Sequence, residues 1–147
     1  MSRGGWRLKE KYILDAGVLA LYFAGDRNAK KYVDKAYSGK AKVFISELNM
    51  AEFIYNYARV FGWSSALARN DLLRNSPMEI VGVYEDLTLK ASKLKLKYYD
   101  TLSLADCYLI ATAKTFKATI VTTDSRIRYV NEAPTVLIKL KQPYTMN

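Results

Sequence analysis

Histidine is missing from this chain of 147 residues, and its only cysteine is Cys107. Without histidine, neither a Ser-His-Asp nor a Cys-His catalytic arrangement can be built, and a zinc site of cysteine and histidine ligands is excluded as well. A single cysteine also excludes an intramolecular disulfide. Any metal ion must therefore be held by oxygen atoms, which favours hard cations such as Mg²⁺ or Mn²⁺.

Long apolar runs are also missing. The longest stretches have about a dozen residues, whereas a helix needs about 20 to cross a bilayer. The first eleven residues are basic, but no continuous apolar segment follows them as it would in a signal peptide. We therefore expect a cytoplasmic protein with no membrane partner. Since the length suits one domain, we predict a basic N-terminal extension over residues 1–10, a single domain over 11–141 and a C-terminal tail over 142–147.

The charge balance is strongly positive. The chain has 23 lysines and arginines against 14 aspartates and glutamates, which gives a formal net charge of +9. A basic surface of this kind suits a polyanionic partner, and nucleic acid is the obvious one. An excess of charge that only keeps the protein in solution explains the composition equally well.

Four acids stand where a solvated surface acid is not expected. Asp15 and Asp124 each follow a short apolar run, and Glu52 and Asp106 lie inside amphipathic helical patterns. Unpaired buried carboxylates are costly, so a cluster of them indicates a bound cation. Each acid also has an ordinary alternative, which is capping or a turn for the three aspartates and a surface ion pair with Arg59 for Glu52.

Short apolar runs alternate with amphipathic segments, which predicts a parallel α/β sheet. The predicted strands are 12–15, 41–45, 79–81, 119–122 and 135–140. The predicted helices are 16–24, 29–38, 46–61 with Ser46 as N-cap, 64–74, 84–97 and 103–116, the last opened by a capping box. Sites in such sheets lie at the carboxyl ends of the strands where strand order reverses. Asp15 and Asp124 would share that edge if the first and fourth strands are neighbours.

Helical spacing distinguishes the two acids that lie within helices. The neighbours of Asp106 at helical spacing form an apolar stripe that faces the sheet: Leu102, Leu109, Ile110 and Ala113. The corresponding neighbours of Glu52 are mixed: Leu48, Tyr55, Asn56 and Arg59. We therefore expect Asp106 to lie over the sheet and Glu52 to lie at the rim of the core.

These residues fall in four blocks that resemble the PIN-domain family and, within it, the VapC-like toxins. The blocks are residues 12–19, 45–52, 102–113 and 120–124. The third is the most specific, because Leu-Ser-x-x-Asp is followed by Ile-Ala-x-Ala and, in the fourth block, by Val-Thr-x-Asp. Two departures stand out: Ala16 and Gly17 occupy positions where many members have hydroxyl residues, and Cys107 replaces a common alanine.

The resemblance implies a fold and an activity. The fold is a five-stranded parallel sheet in the order 3-2-1-4-5, flanked by α-helices on both faces, with the first and fourth strands adjacent. The activity is that of a Mg²⁺- or Mn²⁺-dependent endoribonuclease in which Asp15, Glu52, Asp106 and Asp124 bind one or two metal ions and carry catalysis. Asp15 and Asp106 are the expected principal ligands. Metal-bound water of lowered pKa then supplies the nucleophile, so no histidine base is needed.

Further roles depend on the same resemblance. Ser46 and Thr122 are expected to donate hydrogen bonds that orient the carboxylates, with capping or strand-end bonding as the alternative. Arg126 and Arg128 are candidates for contacts with RNA phosphates. A VapC-like toxin also implies a VapB-like antitoxin partner and a homodimer. The helices expected to contribute carry Phe53, Tyr57, Phe61, Trp63 and Leu67, for which core packing is the alternative.

Other classes fit less well. A haloacid-dehalogenase-like phosphatase needs an acid two residues after the first one, where Gly17 stands. A receiver domain needs a pair of acids after the first strand and a phosphorylatable aspartate at a later strand end, and neither is present. The remaining alternative is a noncatalytic PIN-like module that binds RNA or assembles with partners, although such a module has no reason to keep all four acids.

Overall fold

A computed structural model describes residues 9–140 of the chain. The predicted tail lies outside the described residues, and so does the predicted extension except for Lys9 and Glu10. Five parallel strands form one sheet: β1 (Glu10–Leu14), β2 (Ala41–Ser46), β3 (Glu79–Val81), β4 (Thr119–Thr122) and β5 (Thr135–Leu137). Their order is β3-β2-β1-β4-β5, which confirms the predicted sheet.

Helices cover both faces of the sheet. Over the described residues they are α1 (Ala16–Phe23), α2 (Arg27–Tyr37), α3 (Glu47–Phe61), α4 (Trp63–Arg74), α5 (Glu85–Lys97), α6 (Leu104–Phe116) and α7 (Ser125–Val130). One core cluster joins the sheet to α1–α4, and a second joins it to α5–α7. Within residues 9–140, no helix combines the length and the apolarity that crossing a membrane requires.

Alternation along the strands builds these two cores. Ile13 is paired with Phe44 of β2 and Ile120 of β4, and all three face the α5–α7 side. The next residue in β1, Leu14, is paired with Val121 and faces the α1–α4 side. Successive strand residues point to opposite faces, so apolar residues at consecutive positions fill both cores, as is typical of a covered parallel sheet.

The centre of the sheet brings the ends of β1 and β4 together. Strand order reverses between these two strands, which is the usual place for a binding site in an open α/β sheet. The N–H of Asp15 donates to the carbonyl oxygen of Val121 at 3.2 Å. The first residue after β1 therefore lies directly beside the end of β4.

Two elements differ from the sequence prediction. Helix α7 was not predicted, because it has only six residues and one buried side chain, Ile127, so it shows no apolar repeat. Strand β5 ends at Leu137 rather than at residue 140. Within residues 9–140 it is an edge strand paired only with β4, although the N–H of Ile138 still donates to Thr122 O at 2.8 Å. The other boundaries agree within two residues.

Glu132 ties the loop before β5 to helices α5 and α6. Its carboxylate accepts hydrogen bonds from Tyr98, from Lys97 at 2.9 Å and from Lys114 at 3.0 Å. These bonds, with that of Tyr98 the largest, lower the pKa of Glu132 to about 2. The ionised Glu132 therefore helps to hold α6, which carries Asp106, in place.

We expect Glu132→Gln to lower the free energy of unfolding at pH 7 by about 1–2 kcal/mol, the range for hydrogen bonds to a charged group reduced by solvent screening of the exposed lysines. A depressed carboxyl pKa stabilises the fold above the ordinary carboxyl range, and this contribution is lost as pH falls towards 2. Urea unfolding should therefore be measured at pH 7 and at about pH 2.5, which lies below the ordinary carboxyl range. The difference in unfolding free energy between wild type and variant should shrink at the lower pH. Glu79→Gln, at an exposed position of β3, is the control, and a difference independent of pH would contradict this role.

Candidate metal centre at the carboxyl edge of the sheet

Asp15 is the buried carboxylate of the site, with 7% of its surface exposed. It caps helix α1, since its Oδ1 accepts a hydrogen bond from Val18 N at 2.9 Å. Its Oδ2 accepts from the hydroxyl of Thr122 and, at 3.4 Å, from Thr123 N. Burial raises the pKa of Asp15, and the hydrogen bonds oppose that shift. Capping and a place in the site are thus compatible roles for one side chain.

Thr122 links two of the predicted acids. Its side chain is fully buried at the end of β4, and its hydroxyl donates to Asp15 while accepting from Asp124 N at 3.0 Å. The hydroxyl therefore orients the Asp15 carboxylate and the start of the loop after β4. Ser46, by contrast, caps α3 by accepting from Leu48 N at 3.3 Å, and among the described residues its hydroxyl forms no hydrogen bond with a carboxylate.

Gly17 allows a close contact that the sequence did not reveal. A Cβ atom at this position would lie 2.4 Å from Oγ1 of Thr123 and 3.4 Å from Oδ1 of Asp15. The Thr123 side chain thus occupies the space that a side chain at position 17 would fill. No hydroxyl residue follows Asp15 directly in the chain, but the hydroxyl of Thr123, just after β4, lies beside this position.

Asp106 occupies the first turn of α6 within a full capping box. Ser103 Oγ accepts from Asp106 N at 3.1 Å, and Asp106 Oδ2 accepts from Ser103 N at 2.9 Å. Within residues 9–140 no donor bonds to its other oxygen, Oδ1. Leu109 and Ile110, on the same stripe, are fully buried, so α6 faces the sheet as its spacing predicted.

Glu52 stands on α3 and is partly buried. Its Oε1 accepts a hydrogen bond from the side chain of Asn49 at 3.0 Å. Burial raises the pKa of Glu52, and the negative charges of Asp106 and Asp15 raise it further, against the opposing effect of Asn49. The three carboxylates therefore repel one another across one site. In the described part of the chain, Arg59 forms no ion pair with Glu52.

Asp124 behaves differently from the other three acids. It caps α7 by accepting from Arg126 N at 2.9 Å, and its Oδ2 forms an ion pair with Arg126 Nη2 at 2.7 Å. This contact holds the pKa of Asp124 below its usual range. Arg126 also donates to Thr101 O at 3.3 Å, at the approach to α6. Arg126 is thus paired with Asp124, while Arg128 is exposed.

The donor chemistry fits a hard divalent cation. Asp15, Glu52 and Asp106 bring only oxygen atoms, and their mutual repulsion is of the kind that a bound cation relieves. In the conformation described for residues 9–140, however, no three acidic, histidine or cysteine side chains converge closely enough to enclose a metal ion. The carboxylates are therefore grouped electrostatically without being assembled as a closed ligand cage.

Two residues of this region were not predicted from the sequence. Asn49 precedes Glu52 by three residues, a helical spacing that places both on one face of α3, so spacing alone could have found it. Thr123 could not have been found in that way. Its place beside Gly17 depends on how β4 and α1 pack together.

The comparisons with known proteins agree with this architecture. The sequence matches the PIN domain family over residues 12–133, which is most of the chain. The chain therefore belongs to the PIN domain family. No curated protein sequence matches it.

Solved structures of toxin–antitoxin proteins share the fold. VapBC2 from Rickettsia felis, bound to a DNA fragment from their promoter, has a TM-score of 0.71 and 14% identity, and the match covers 86% of this chain and 98% of that chain. DNA-bound VapBC from Salmonella typhimurium gives 0.69 and 14%, covering 86% and 97%. Mycobacterium tuberculosis VapC20, a Sarcin-Ricin loop cleaving toxin, gives 0.66 and 18%, covering 82% and 95%. At these identities the similarity establishes the fold.

Proposed function

We propose that this protein is a Mg²⁺- or Mn²⁺-dependent endoribonuclease and the toxin of a VapBC-type toxin–antitoxin pair, acting in the cytoplasm. The observation that carries the proposal is the grouping of Asp15, Glu52 and Asp106 at the point where strand order reverses. Burial and mutual repulsion raise the pKa of Asp15 and of Glu52. Arg126 is close enough to Asp106 for their opposite charges to attract, but no lysine or arginine among residues 9–140 forms an ion pair with any of these three acids. Such a group of acids suits a divalent cation.

The residues of the site have separable tasks. Asp15, Glu52 and Asp106 would hold the cation, which when bound supplies a water of lowered pKa and offsets charge on the phosphate. Val18 N and the Thr122 hydroxyl fix the Asp15 carboxylate from two sides. The capping box fixes Asp106 and leaves its Oδ1 available. Asp124, held by Arg126, contributes at longer range, in keeping with a role through water.

RNA is the substrate that the charge and the comparisons favour. The net charge of +9 suits a polyanion, and the structurally similar VapC20 is a toxin that cleaves the Sarcin-Ricin loop. Arg126 lies beside Asp124, and Arg128 is exposed two residues further along α7. Both are our candidates for contacts with RNA phosphates, Arg126 by exchanging its partner Asp124 for the substrate.

An apolar groove beside the site suits the antitoxin. It has a volume of about 320 Å³ and runs from Ala16 and Gly17, next to Asp15, along α3 to Phe61. Phe53 belongs to the core, whereas Phe61 and Trp63 are more than half exposed. VapBC complexes are among the structures with this fold. We assign the groove to a VapB-like antitoxin, and we assign Phe61 at its end and the nearby Trp63 to antitoxin or homodimer contacts.

A noncatalytic PIN-like module is the second candidate. Two observations favour it: the carboxylates of residues 9–140 do not converge into a metal cage, and Arg126 already neutralises Asp124. Such a module would bind RNA through its basic surface without cutting it. The two candidates therefore differ in metal binding and in cleavage.

Cleavage of a single-stranded RNA pool distinguishes them. We expect the wild-type protein to cut RNA in the presence of Mg²⁺ or Mn²⁺, and we expect excess EDTA to abolish cleavage because the metal supplies the nucleophile. Restoring Mn²⁺ should restore activity. RNA binding without cleavage under all metal conditions would favour the noncatalytic module, and cleavage that persists in EDTA would contradict the metal mechanism.

A further inference from the structure

Asn49 is a buried polar residue that bonds to one acid of the candidate metal centre. It lies in the first turn of α3, and 2% of its surface is exposed. Its Nδ2 donates to Glu52 Oε1 at 3.0 Å. Because an ionised carboxylate only accepts hydrogen bonds, the amide nitrogen must be the atom that faces Glu52. The other polar atom of the same planar amide is the oxygen Oδ1.

That oxygen has no partner. Among the residues that the structure describes, Asn49 Oδ1 is the one buried side-chain nitrogen or oxygen that forms no hydrogen bond. An unpaired buried acceptor costs stability, and an apolar side chain of similar size would avoid the cost. Packing alone therefore does not explain an asparagine here, and an unsatisfied buried atom in a native protein requires an explanation of its own.

We propose that Asn49 is a positioning residue of the metal centre. Its Nδ2 holds the Glu52 carboxylate in the orientation that ligation requires. The inference rests on the proposed function, since it requires a divalent cation at this edge of the sheet.

The same helix offers a matched control. Asn56 lies one turn beyond Glu52, and its Nδ2 donates to the backbone oxygen of Glu52 at 2.9 Å. It contacts the same residue through the main chain, and it is exposed. Substituting Asn56 thus removes an amide next to Glu52 without touching the carboxylate.

The test is Mn²⁺ binding measured by calorimetry together with thermal unfolding of the metal-free protein. We expect Asn49→Leu to weaken Mn²⁺ binding at least about 10-fold, the usual effect of removing a group that orients a metal ligand. Its metal-free unfolding midpoint should change little, because the unpaired acceptor and the hydrogen bond to Glu52 are lost together. Asn56→Ala should leave Mn²⁺ affinity within about 2-fold, well below that range.

The outcomes separate this inference from the proposed function. If wild type binds no Mn²⁺, the proposed function and this inference both fail. If wild type binds Mn²⁺ and Asn49→Leu binds it equally well, only the role of Asn49 fails. A fall in metal-free stability with unchanged affinity would show a purely structural residue. Should the leucine variant not fold, Asn49→Ala is judged by the same two measurements.

Discussion

Asp106→Asn should lower the rate of metal-dependent RNA cleavage at least about 100-fold, because a lost metal-ligand carboxylate removes several kcal/mol of transition-state stabilisation. The substitution is conservative for the fold. An amide oxygen at position 106 can still accept from Ser103 N, as Asp106 Oδ2 does at 2.9 Å, and Ser103 Oγ still accepts from the backbone of residue 106. Single-turnover cleavage of a single-stranded RNA measures the effect.

A capping aspartate that is not one of the four candidate acids provides the control for this experiment. Asp26 caps α2 by accepting from Ala29 N at 3.0 Å, so Asp26→Asn makes the same chemical change at another helix start. We expect this variant to cleave at the wild-type rate. If folded Asp106→Asn also cleaved at that rate, Asp106 would have no place in the active site.

Glu52→Gln should stabilise the metal-free protein but weaken its binding of Mn²⁺. Without metal, the substitution removes a charge that burial and the neighbouring acids make unfavourable, while the amide oxygen keeps the bond from Asn49. We therefore expect the unfolding midpoint to rise near neutral pH. With Mn²⁺, we expect binding to weaken about 100-fold or more. Losing a residue that only orients a metal ligand costs up to about 100-fold, and Glu52 is itself a proposed ligand.

The pH dependence follows from the direction of the pKa shift. When a carboxyl group has a raised pKa in the folded state, the folded protein loses stability as pH rises through that raised value. The advantage of Glu52→Gln should thus be absent at acidic pH and should develop as pH rises above the ordinary carboxyl range. Glu47→Gln is the control on the same helix, because Glu47 pairs with Arg74 and should show neither effect. If the metal-free Glu52→Gln protein were less stable than wild type at neutral pH, the repulsion between Glu52 and the neighbouring acids would be contradicted.

The sheet was predictable because its signals are local and repeated. Apolar residues at consecutive positions, such as Ile13 and Leu14, indicate a strand covered on both faces, and this held for the central strands. Strand order was not readable from composition or spacing, and the resemblance supplied it. Helix α7 was missed because six residues around one buried side chain carry no period.

The site was predictable in its residue types but not in its pairing. The sequence patterns singled out Asp15, Glu52, Asp106 and Asp124, and the structure groups the first three electrostatically. The ion pair of Asp124 with Arg126 depends on the backbone turn that starts α7, where the two side chains meet. Likewise, the contact of Thr123 with Gly17 arises between elements more than 100 residues apart in the chain, which no local pattern encodes.

The most direct test of the central claim, that acids from β1, α3 and α6 form one cation site, is a Mn²⁺ titration of the wild-type protein and four single variants. We expect Asp15→Asn, Glu52→Gln and Asp106→Asn each to weaken binding strongly. Asp124→Asn should have a smaller effect, because Arg126 already neutralises that carboxylate. A wild-type protein that binds no Mn²⁺, or affinities unchanged in both Asp15→Asn and Asp106→Asn, would contradict the account.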